Sequence, residues 1–307
     1  MAYVEKLARW RAWLIATRPR SWPVAPAPVL VGAAVAWQAT GRIDALLAGL
    51  ALLAAWMMQV ITNLQNDAGY TARIGAASGR SHPGLPRATA MGWLPLAQVQ
   101  HAVLGLSALA ALLGLGLVAL RGWPVLAIGT ASLLGALAYM GGPRPIAYTP
   151  FGELAVFLFF GLVGVLGTEW LLADRLSPAG LAAAVCVGSW SAAALCVNNH
   201  RDITHDRAQG RRTFAVCFGP SASRRLYGAL SLGPALLCGA IAAATSSAAW
   251  LLPLLALPMD RQLIRAWPPA DDAAALNATL AATFRVGLIK AALLAAGLML
   301  AQPQVAA

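Results

Sequence analysis

Charged side chains are scarce in this sequence. Aspartate, glutamate, lysine and arginine make up 11% of the 307 residues, against roughly 25% in soluble domains, whereas hydrophobic residues make up 59%. A chain with so little charge cannot cover a water-facing surface, which excludes a soluble enzyme and a disordered protein. The 22 basic and 11 acidic residues give a net charge of +11. A basic excess is common in nucleic-acid-binding proteins, but no polar face here could hold a duplex, so we expect no nucleic-acid partner.

Cysteine and histidine are also rare, and their spacing indicates no metal site. The four cysteines, Cys186, Cys196, Cys217 and Cys238, form no CxxC pair and no metal-binding pattern. Three of them fall within long apolar runs, so we interpret those three as small apolar side chains of a packed interior. We interpret His200 and His205 as solvated loop residues rather than zinc ligands.

Long apolar runs dominate the rest of the chain. A helix that crosses a bilayer needs about 20 mostly apolar residues. The runs are rich in alanine, leucine and glycine and do not alternate with polar residues, which favours helices over barrel strands. The sequence therefore predicts an all-α polytopic membrane protein, a single domain over residues 1–307 with nine transmembrane helices. The predicted spans are 22–39, 44–65, 95–119, 123–140, 151–172, 179–200, 226–245, 248–266 and 275–300.

The basic residues predict how the chain crosses the membrane. Most of the 22 lie in the segments 1–21, 66–94, 141–150, 201–225 and 267–274, which share one side of the membrane. The opposite side holds Arg42, Arg121 and Arg175. Because basic loops stay in the cytoplasm, we expect a multi-pass protein of the inner (cytoplasmic) membrane, with its N-terminus in the cytoplasm and its C-terminus outside. Residues 1–21, rich in arginine and tryptophan, predict an interfacial amphipathic helix.

Two polar segments interrupt the apolar pattern, each at the predicted inner end of a span. The first segment, residues 63–73, opens with Asn63 and Asp67, which are four residues apart and share one face of a helix. The second segment, residues 198–212, repeats this spacing. The repetition predicts an internal duplication whose two copies face each other across a cavity. Asp260, Asp271 and Asp272 could form a third acidic site, although we favour a loop face for them.

The composition of the two polar segments indicates a site for a metal and a phosphate group. Carboxylates at membrane depth are costly unless they are paired or metal-bound. Aspartate and amide oxygens suit Mg²⁺, which commonly bridges carboxylates to phosphates. Arginines without matching acids lie next to the aspartates of each segment, and their forks suit phosphate oxygens. They are Arg73, Arg80 and Arg87, then Arg207, Arg211 and Arg212. The alternative is a solvated helix end in which Asp202 and Asp206 only pair with Arg201 and Arg207.

The second segment also resembles a known family. Residues 198–216 read NNHRDITHDRAQGRRTFAV, which is similar to the second Asp-rich motif of the UbiA superfamily of intramembrane prenyltransferases. Within it, the pattern looks most like the 1,4-dihydroxy-2-naphthoate polyprenyltransferases of menaquinone synthesis (the MenA branch). Residues 17–32, residues 139–170 and Leu276-Asn277 resemble the opening, the fourth-to-fifth helix segment and the close of that branch. The resemblance covers almost the whole chain.

The resemblance implies a fold, a cofactor and a set of site residues. The fold is a bundle of nine helices around a central cavity, in which Mg²⁺ on two Asp-rich motifs holds the diphosphate of a polyprenyl donor. The implied metal ligands are Asn66, Asp67, Asp202 and Asp206. The implied catalytic residues are Asp67, Asp202, Asp206 and Arg144. The implied substrate-binding residues are Asn63, Arg73, Tyr139, Tyr148, Asn199, Arg201, Arg211 and Arg212.

The first segment departs from the family pattern NDxxDxxxD. Tyr70 stands where the second aspartate is expected, and Ile74 or Ala76 stands where the third would be. Three interpretations remain open. Asn63, Asn66 and Asp67 hold a single Mg²⁺, or Arg73 takes over part of the diphosphate charge, or the protein has lost its activity.

The resemblance implies Mg²⁺-dependent transfer of a polyprenyl group from polyprenyl diphosphate to an aromatic acceptor. The expected acceptor is 1,4-dihydroxy-2-naphthoate, giving demethylmenaquinone. Alternatives are another aromatic acceptor of the 4-hydroxybenzoate or homogentisate type, and a non-catalytic membrane protein that binds isoprenoids or quinones. A secondary transporter is disfavoured because the polar segments lie at helix ends and not mid-span. The expected partners are these small molecules and membrane lipid, with no obligate protein partner.

Overall fold

The described part of the chain consists of helices and the turns between them. The computed structural model describes residues 8–80 and 82–301, with 77–80 by backbone only, and these residues contain no strand. The α-helices are α1 (Arg9–Ala16), α2 (Pro26–Thr40), α3 (Ala45–Arg80), α4 (Leu96–Arg121), α5 (Trp123–Met140), α6 (Gly152–Val156), α7 (Gly167–Ala173), α8 (Pro178–Arg201), α9 (Ile203–Ala208), α10 (Phe214–Thr245), α11 (Leu257–Arg265) and α12 (Ala273–Leu300). A π-helix, Phe157–Leu166, joins α6 to α7, and 3-10 helices occupy Pro19–Val24, Ile146–Tyr148 and Ala248–Ala256.

Seven helical segments in the described residues are long and apolar enough to cross a membrane. They are Ala45–Ala76, Leu96–Arg121, Trp123–Met140, Gly152–Ala173, Pro178–Arg201, Phe214–Thr245 and Ala273–Leu300. The prediction of an all-α membrane protein is therefore confirmed. The prediction of nine spans is not confirmed, because the segments predicted at 22–39 and 248–266 fall short.

Proline explains why these two segments are short. Residues 22–39 contain the end of a 3-10 helix with Pro23 inside it, followed by α2, which has 15 residues. At 1.5 Å per residue α2 is about 22 Å long, less than the roughly 30 Å of a hydrocarbon core. Residues 248–266 divide in the same way into a 3-10 helix containing Pro253 and the nine-residue α11. Proline lacks the amide hydrogen that a continuous α-helix needs.

The most buried of the seven segments is α8. It packs against the π-helix, where a Cβ atom added to Gly161 would lie 2.5 Å from the Ala184 carbonyl oxygen and 2.8 Å from the Gly188 Cα. Only glycine allows this approach, and small residues drive close helix packing in membranes. The contact fixes the position of α8 against the π-helix. The second segment begins at the C-terminal end of α8.

The helix α3 continues beyond its predicted end at residue 65. It runs to Arg80 and changes direction at Gly75, where φ is 79°. The first segment therefore lies on the last regular turns of α3, as its four-residue spacing requires. This places Asn63 and Asn66 toward the end of α8.

The N-terminal helix α1 packs against α3 and α4. Ala12 and Ala16 are buried in a cluster with Ile61 and Leu64, whereas Trp10 is exposed. Residues 1–7 of the predicted interfacial helix lie outside the described residues. The interfacial position of residues 1–21 stays a prediction.

A buried ion pair joins three helices away from the second segment. Lys290 of α12 contacts both carboxylate oxygens of Asp260 of α11, at 3.0 and 3.1 Å, and donates to the Ser231 carbonyl of α10. Both side chains are buried. The interpretation of Asp260 as a loop face was wrong, because the apolar spacing of this region gave no sign of a partner 30 residues away.

Removing one partner of this pair should destabilise the protein. We expect Lys290→Ala to lower the free energy of unfolding by about 3–5 kcal/mol, because it leaves the Asp260 carboxylate buried and unpaired. Thermal unfolding of the purified protein in detergent would measure the loss. The double variant Lys290→Met, Asp260→Leu removes both charges and should recover most of the stability. A double variant as unstable as Lys290→Ala would contradict this account.

Candidate functional site

A cavity of about 550 Å³ lies between the helices. Most of its wall is apolar and comes from α3, α4, α5 and the π-helix, including Leu117, Val118, Val125, Leu126, Phe159 and Phe160. One end is polar and is lined by Arg18, Arg20, Ser21, Asn63, Asn66, His82, Arg87, Asn198, Arg201, Asp202, Arg211 and Asn277. The cavity can therefore hold a molecule with an anionic head and an apolar tail.

Arg201 organises the second segment at the polar end. It forms a two-point ion pair with Asp202, Nε to Oδ1 at 2.7 Å and Nη2 to Oδ2 at 2.8 Å. The same guanidinium donates to Oδ1 of Asn198 at 2.8 Å and to Oδ1 of Asn277 at 2.7 Å. Asp202 directly follows α8, so the pair fixes the carboxylate at the helix end. The result is a charged cluster that joins α8 to α12.

The second aspartate of this segment pairs with Arg211. Nη1 of Arg211 lies 2.6 Å from Oδ1 of Asp206, and its Nε and Nη2 donate to the Ala147 carbonyl. Oδ2 of Asp206 is buried and has no hydrogen-bond partner in the described residues. Burial raises the pKa of Asp206 to about 6, although Arg211 opposes this shift. Asp206 thus keeps one oxygen free for a cation.

Asp67, the carboxylate of the first segment, pairs with no arginine among the described residues and instead binds a loop. Asp67 accepts hydrogen bonds from the backbone N–H groups of Ala88 and Thr89, at 2.8 and 3.0 Å, and from the Thr89 hydroxyl. It is 1% exposed and does not line the cavity. Both of its oxygens are therefore committed to the loop 87–89, which they hold against α3.

The same loop places Arg87 at the cavity. Its Nη1 donates to Oδ1 and to the carbonyl oxygen of Asn66, at 2.9 and 3.1 Å. Its guanidinium carbon lies 3.7 Å from the centroid of the Tyr70 ring, a cation–π contact. The hydroxyl of Tyr70 contacts Nε2 of His205 in α9. Tyr70 thus packs its ring face against Arg87 and, through its hydroxyl, connects the first segment to His205 of the second.

Two further groups complete the polar end. Nδ2 of Asn63 donates to the Thr17 carbonyl at 2.8 Å and to the Ser21 hydroxyl at 3.0 Å, which ties α3 to the strained turn at Arg18, where φ is 52°. Nε2 of His82 lies 3.4 Å from Oδ2 of Asp202. Burial and the neighbouring Arg87 lower the pKa of His82, so the ring is neutral.

Positive charge exceeds negative charge at the cavity. Five arginines line it, Arg18, Arg20, Arg87, Arg201 and Arg211, against one lining carboxylate, Asp202, among the described residues. Burial, followed by the charge of Arg18, lowers the pKa of Arg87 to about 9, and burial also lowers the pKa of Arg18. Burial is the main cause of both shifts, and it makes the charged guanidinium groups costly to keep out of water. An anion with several oxygens would offset this cost.

Comparison with known proteins identifies the family. The UbiA prenyltransferase family model matches residues 25–285. This chain belongs to the UbiA prenyltransferase family. The prediction of family and of a prenyltransferase is confirmed.

Two bacterial relatives of this chain share one activity in their names. The 1,4-dihydroxy-2-naphthoate octaprenyltransferase of Escherichia coli (strain K12) is 33% identical over 97% of this chain and 98% of its own length. The protein of the same name from Mycobacterium tuberculosis is 37% identical over 72% of this chain and 74% of its own length. Both relatives belong to the branch that the second segment resembles.

Solved UbiA structures share the fold. A UbiA homolog from Archaeoglobus fulgidus, bound to GPP and Mg²⁺, has a TM-score of 0.65 at 16% identity and covers 90% of this chain and 98% of its own. The apo UbiA homolog from Aeropyrum pernix K1 has a TM-score of 0.63 at 18% identity and covers 87% of this chain and 96% of its own. At these identities the likeness establishes the fold only.

The two segments differ in how well they fit the magnesium ion of such relatives. Magnesium commonly takes one or two carboxylates and completes its shell with phosphates and water. In the second segment, Oδ2 of Asp206 is buried and free of partners among the described residues, and Asp202 lines the cavity although Arg201 pairs with both of its oxygens, so this segment offers a cation one unpaired carboxylate oxygen. The first segment fits less well, because both oxygens of its one carboxylate, Asp67, accept hydrogen bonds from loop 87–89, and Arg87 donates to Oδ1 of Asn66. The described residues contain no group of three or more histidine, cysteine, aspartate or glutamate side chains placed to hold a metal.

The structure brings only some of the predicted site residues to the cavity. Asn63, Asn66, Tyr139, Arg201, Asp202 and Arg211 line it, and Asp206 lies directly behind Arg211. Tyr148 does not line the cavity, but the centroid of its ring lies 5.5 Å from the guanidinium carbon of Arg211. The positions of these eight residues agree with the predicted site, and their roles in binding and catalysis stay predictions.

Five predicted residues lie elsewhere, which corrects the expectation that they face the substrate. Asp67, predicted as a metal ligand, is hydrogen-bonded to loop 87–89 instead. Arg144 and Arg212 are exposed and line no part of the cavity. Arg73 is exposed and donates to the Gly142 carbonyl. It lies on the last turn of α3 before the bend at Gly75. Asn199 is buried and donates to Oε1 of Glu153 at 2.9 Å. It adjoins Asn198 in sequence, but one residue along a helix turns the side chain by about 100°.

Several residues of the site were not assigned to the substrate or the metal. Arg18 and His82 lie in neither of the two polar segments. Asn198 begins the second segment and its Asn-x3-Asp pattern, and Arg87 is one of the arginines whose forks suit phosphate oxygens, but neither was named as a site residue. The interpretation of His200 as solvated was wrong, because it is 2% exposed and accepts a hydrogen bond from Nε1 of Trp267.

Loss of the Asp67 carboxylate should unfold loop 87–89. We expect Asp67→Ala to lower the free energy of unfolding by about 3 kcal/mol, because two buried backbone donors and a hydroxyl lose their acceptor. Thermal unfolding in detergent would measure this. The control is Asp271→Ala, which removes an exposed aspartate and should leave the melting temperature unchanged. Equal melting temperatures for the two variants would refute the role given to Asp67.

Proposed function

We propose that this chain transfers a polyprenyl group from polyprenyl diphosphate to 1,4-dihydroxy-2-naphthoate, a step of menaquinone biosynthesis that gives demethylmenaquinol, the reduced form of demethylmenaquinone. The observation that carries the proposal is a cavity with an arginine-rich polar end and an apolar interior. It occurs in a chain whose Escherichia coli relative of that activity matches nearly end to end.

The polar end is suited to the diphosphate of the donor. Arg18, Arg87 and Arg211 line it and bring positive charge that the described carboxylates do not balance. Asp202 and Asp206 would hold a magnesium ion beside them. When bound, this ion would neutralise charge on the diphosphate and favour its departure as a leaving group.

The protein's own groups would then act on the charges that form as the carbon–oxygen bond breaks. The arginines are fixed before reaction, so they stabilise the leaving diphosphate without reorganisation. The allylic cation left behind lies along an apolar wall that excludes water. Phe159, Phe160 and Tyr139 line this wall, and ring faces attract positive charge.

The acceptor ring would attack this cation. The bond forms at the ring carbon that carries the carboxylate, and the carboxylate leaves as CO₂. The excess of arginine at the cavity also attracts the anionic acceptor. This distribution of charge supports an acidic acceptor over a neutral one.

We further propose that the protein lies in the inner membrane with its N-terminus in the cytoplasm. The basic residues of the loops after α3 and α8 adjoin the polar end of the cavity, which would then open toward the cytoplasm. The alternative of a non-catalytic isoprenoid-binding protein draws its support from the single carboxylate of the first segment.

Prenyl transfer by the purified protein tests this function. With Mg²⁺, octaprenyl diphosphate and 1,4-dihydroxy-2-naphthoate, we expect a prenylated product, detected by chromatography and mass spectrometry. Asp202→Asn keeps the shape of the side chain and should lower the rate by about 10- to 100-fold through loss of a charged contact. The control Asp271→Ala should react like the wild type. No product, or an undiminished rate in Asp202→Asn, would reject the proposal.

A further inference from the structure

We infer that Arg87, held on the Tyr70 ring, takes the place of a metal ion on the first-segment side, so that the site binds one Mg²⁺ per diphosphate. The inference rests on the proposed function for the identity of the ligand. It concerns how the two halves of the site divide the diphosphate charge between a metal and fixed guanidinium groups.

The first segment has no free carboxylate oxygen to offer a cation. Both oxygens of Asp67 accept hydrogen bonds from residues 88 and 89, and Oδ1 of Asn66 accepts one from Arg87. Tyr70, one turn further along α3, is fully buried with its hydroxyl on His205. A magnesium ion here would have to break contacts that hold the loop to the helix.

The imidazoles nearby do not replace these oxygens. Nδ1 of His82 accepts a hydrogen bond from the backbone N–H of Gly84 at 2.9 Å, which places the ring proton on Nε2. That nitrogen lies 3.4 Å from Oδ2 of Asp202 and carries the proton, so it has no lone pair for a metal. Nε2 of His205 is engaged by Tyr70. Neither ring therefore offers a free lone pair from these nitrogens to a metal.

Arg87 has the features of an anion-binding group. It lines the cavity, is 3% exposed, and its Nε is buried without a hydrogen-bond partner in the described residues. Nε of Arg18, in the same lining, is likewise buried and without a partner. Two guanidinium groups with unused donors thus face the cavity. A diphosphate is the kind of ligand that would satisfy both.

Tyr70 keeps Arg87 in place without neutralising it. An aspartate at this position would pair with the guanidinium and cancel its charge, whereas the aromatic face attracts the cation and leaves its charge available. The hydrogen bonds to Asn66 fix the other edge of the guanidinium. The fold therefore supplies a fixed positive charge where a carboxylate would have required an ion.

Metal counting on the complete protein tests the inference. The probe is geranyl S-thiolodiphosphate, an unreactive donor analogue, with Mn²⁺ in place of Mg²⁺. We expect one Mn²⁺ per protein at saturating analogue, measured by electron paramagnetic resonance of the free ion. Two ions per protein would overturn the inference.

Binding of the same analogue by titration calorimetry tests Arg87 directly. We expect Arg87→Gln, which can still bond to Asn66, to raise the Kd of the analogue roughly 10- to 100-fold while the metal count stays at one. Tyr70→Phe keeps the ring and should change the Kd less than about threefold, whereas Tyr70→Leu removes the cation–π contact and should raise it about fivefold. Arg225→Ala, an exposed arginine away from the cavity, is the matched control for lost charge.

The outcomes separate the two proposals. Melting temperatures of all variants establish that each folds, and an unchanged Kd in folded Arg87→Gln would overturn the inference. Prenyl transfer is measured on the same wild-type preparation. Product formed with two bound metal ions would reject the single-metal inference alone. One bound ion without product from 1,4-dihydroxy-2-naphthoate would reject the proposed function and leave the binding site as described.

Discussion

A charge enclosed by apolar helices is costly unless an opposite charge or a set of hydrogen bonds compensates it, and this requirement organises the whole protein. The chain has only 11 acids to place. Four buried aspartates have defined partners: Asp67 with loop 87–89, Asp202 with Arg201, Asp206 with Arg211, and Asp260 with Lys290. These contacts join α3, α8, α9, α11 and α12. The arginines left over line the cavity, and this surplus defines its chemistry.

The sequence predicted the second half of the site well because its residues are neighbours along the chain. Asn198, Asp202 and Asp206 follow at helical spacing, so local geometry alone brings them to one place. The apolar runs predicted helices for the same reason, since length and composition are local properties. The number of spans was not predicted, because prolines divide two apolar runs into short helices whose lengths composition does not reveal.

The first half of the site could be predicted only in part. Asn63 and Asn66 line the cavity as expected, but the rest depends on contacts between distant parts of the chain. Arg18, His82 and Arg87 enter from a turn and a loop, and nothing in their immediate sequence separates them from the basic residues that orient the protein. Asn199 shows the opposite limit. It stands within the predicted motif, yet the helix turns it toward Glu153. Whether a motif residue faces the cavity is decided by packing.

The role of Asp67 bears on how motifs are compared between relatives. Its carboxylate folds a loop, and through that loop it delivers a guanidinium to the cavity. An aspartate can thus persist at a motif position after the chemistry of the motif has changed, because the architecture still depends on it. A comparison of sequences alone would identify this aspartate as a metal ligand. The hydrogen bonds to its oxygens instead identify Asp67 as a residue that holds a loop against a helix.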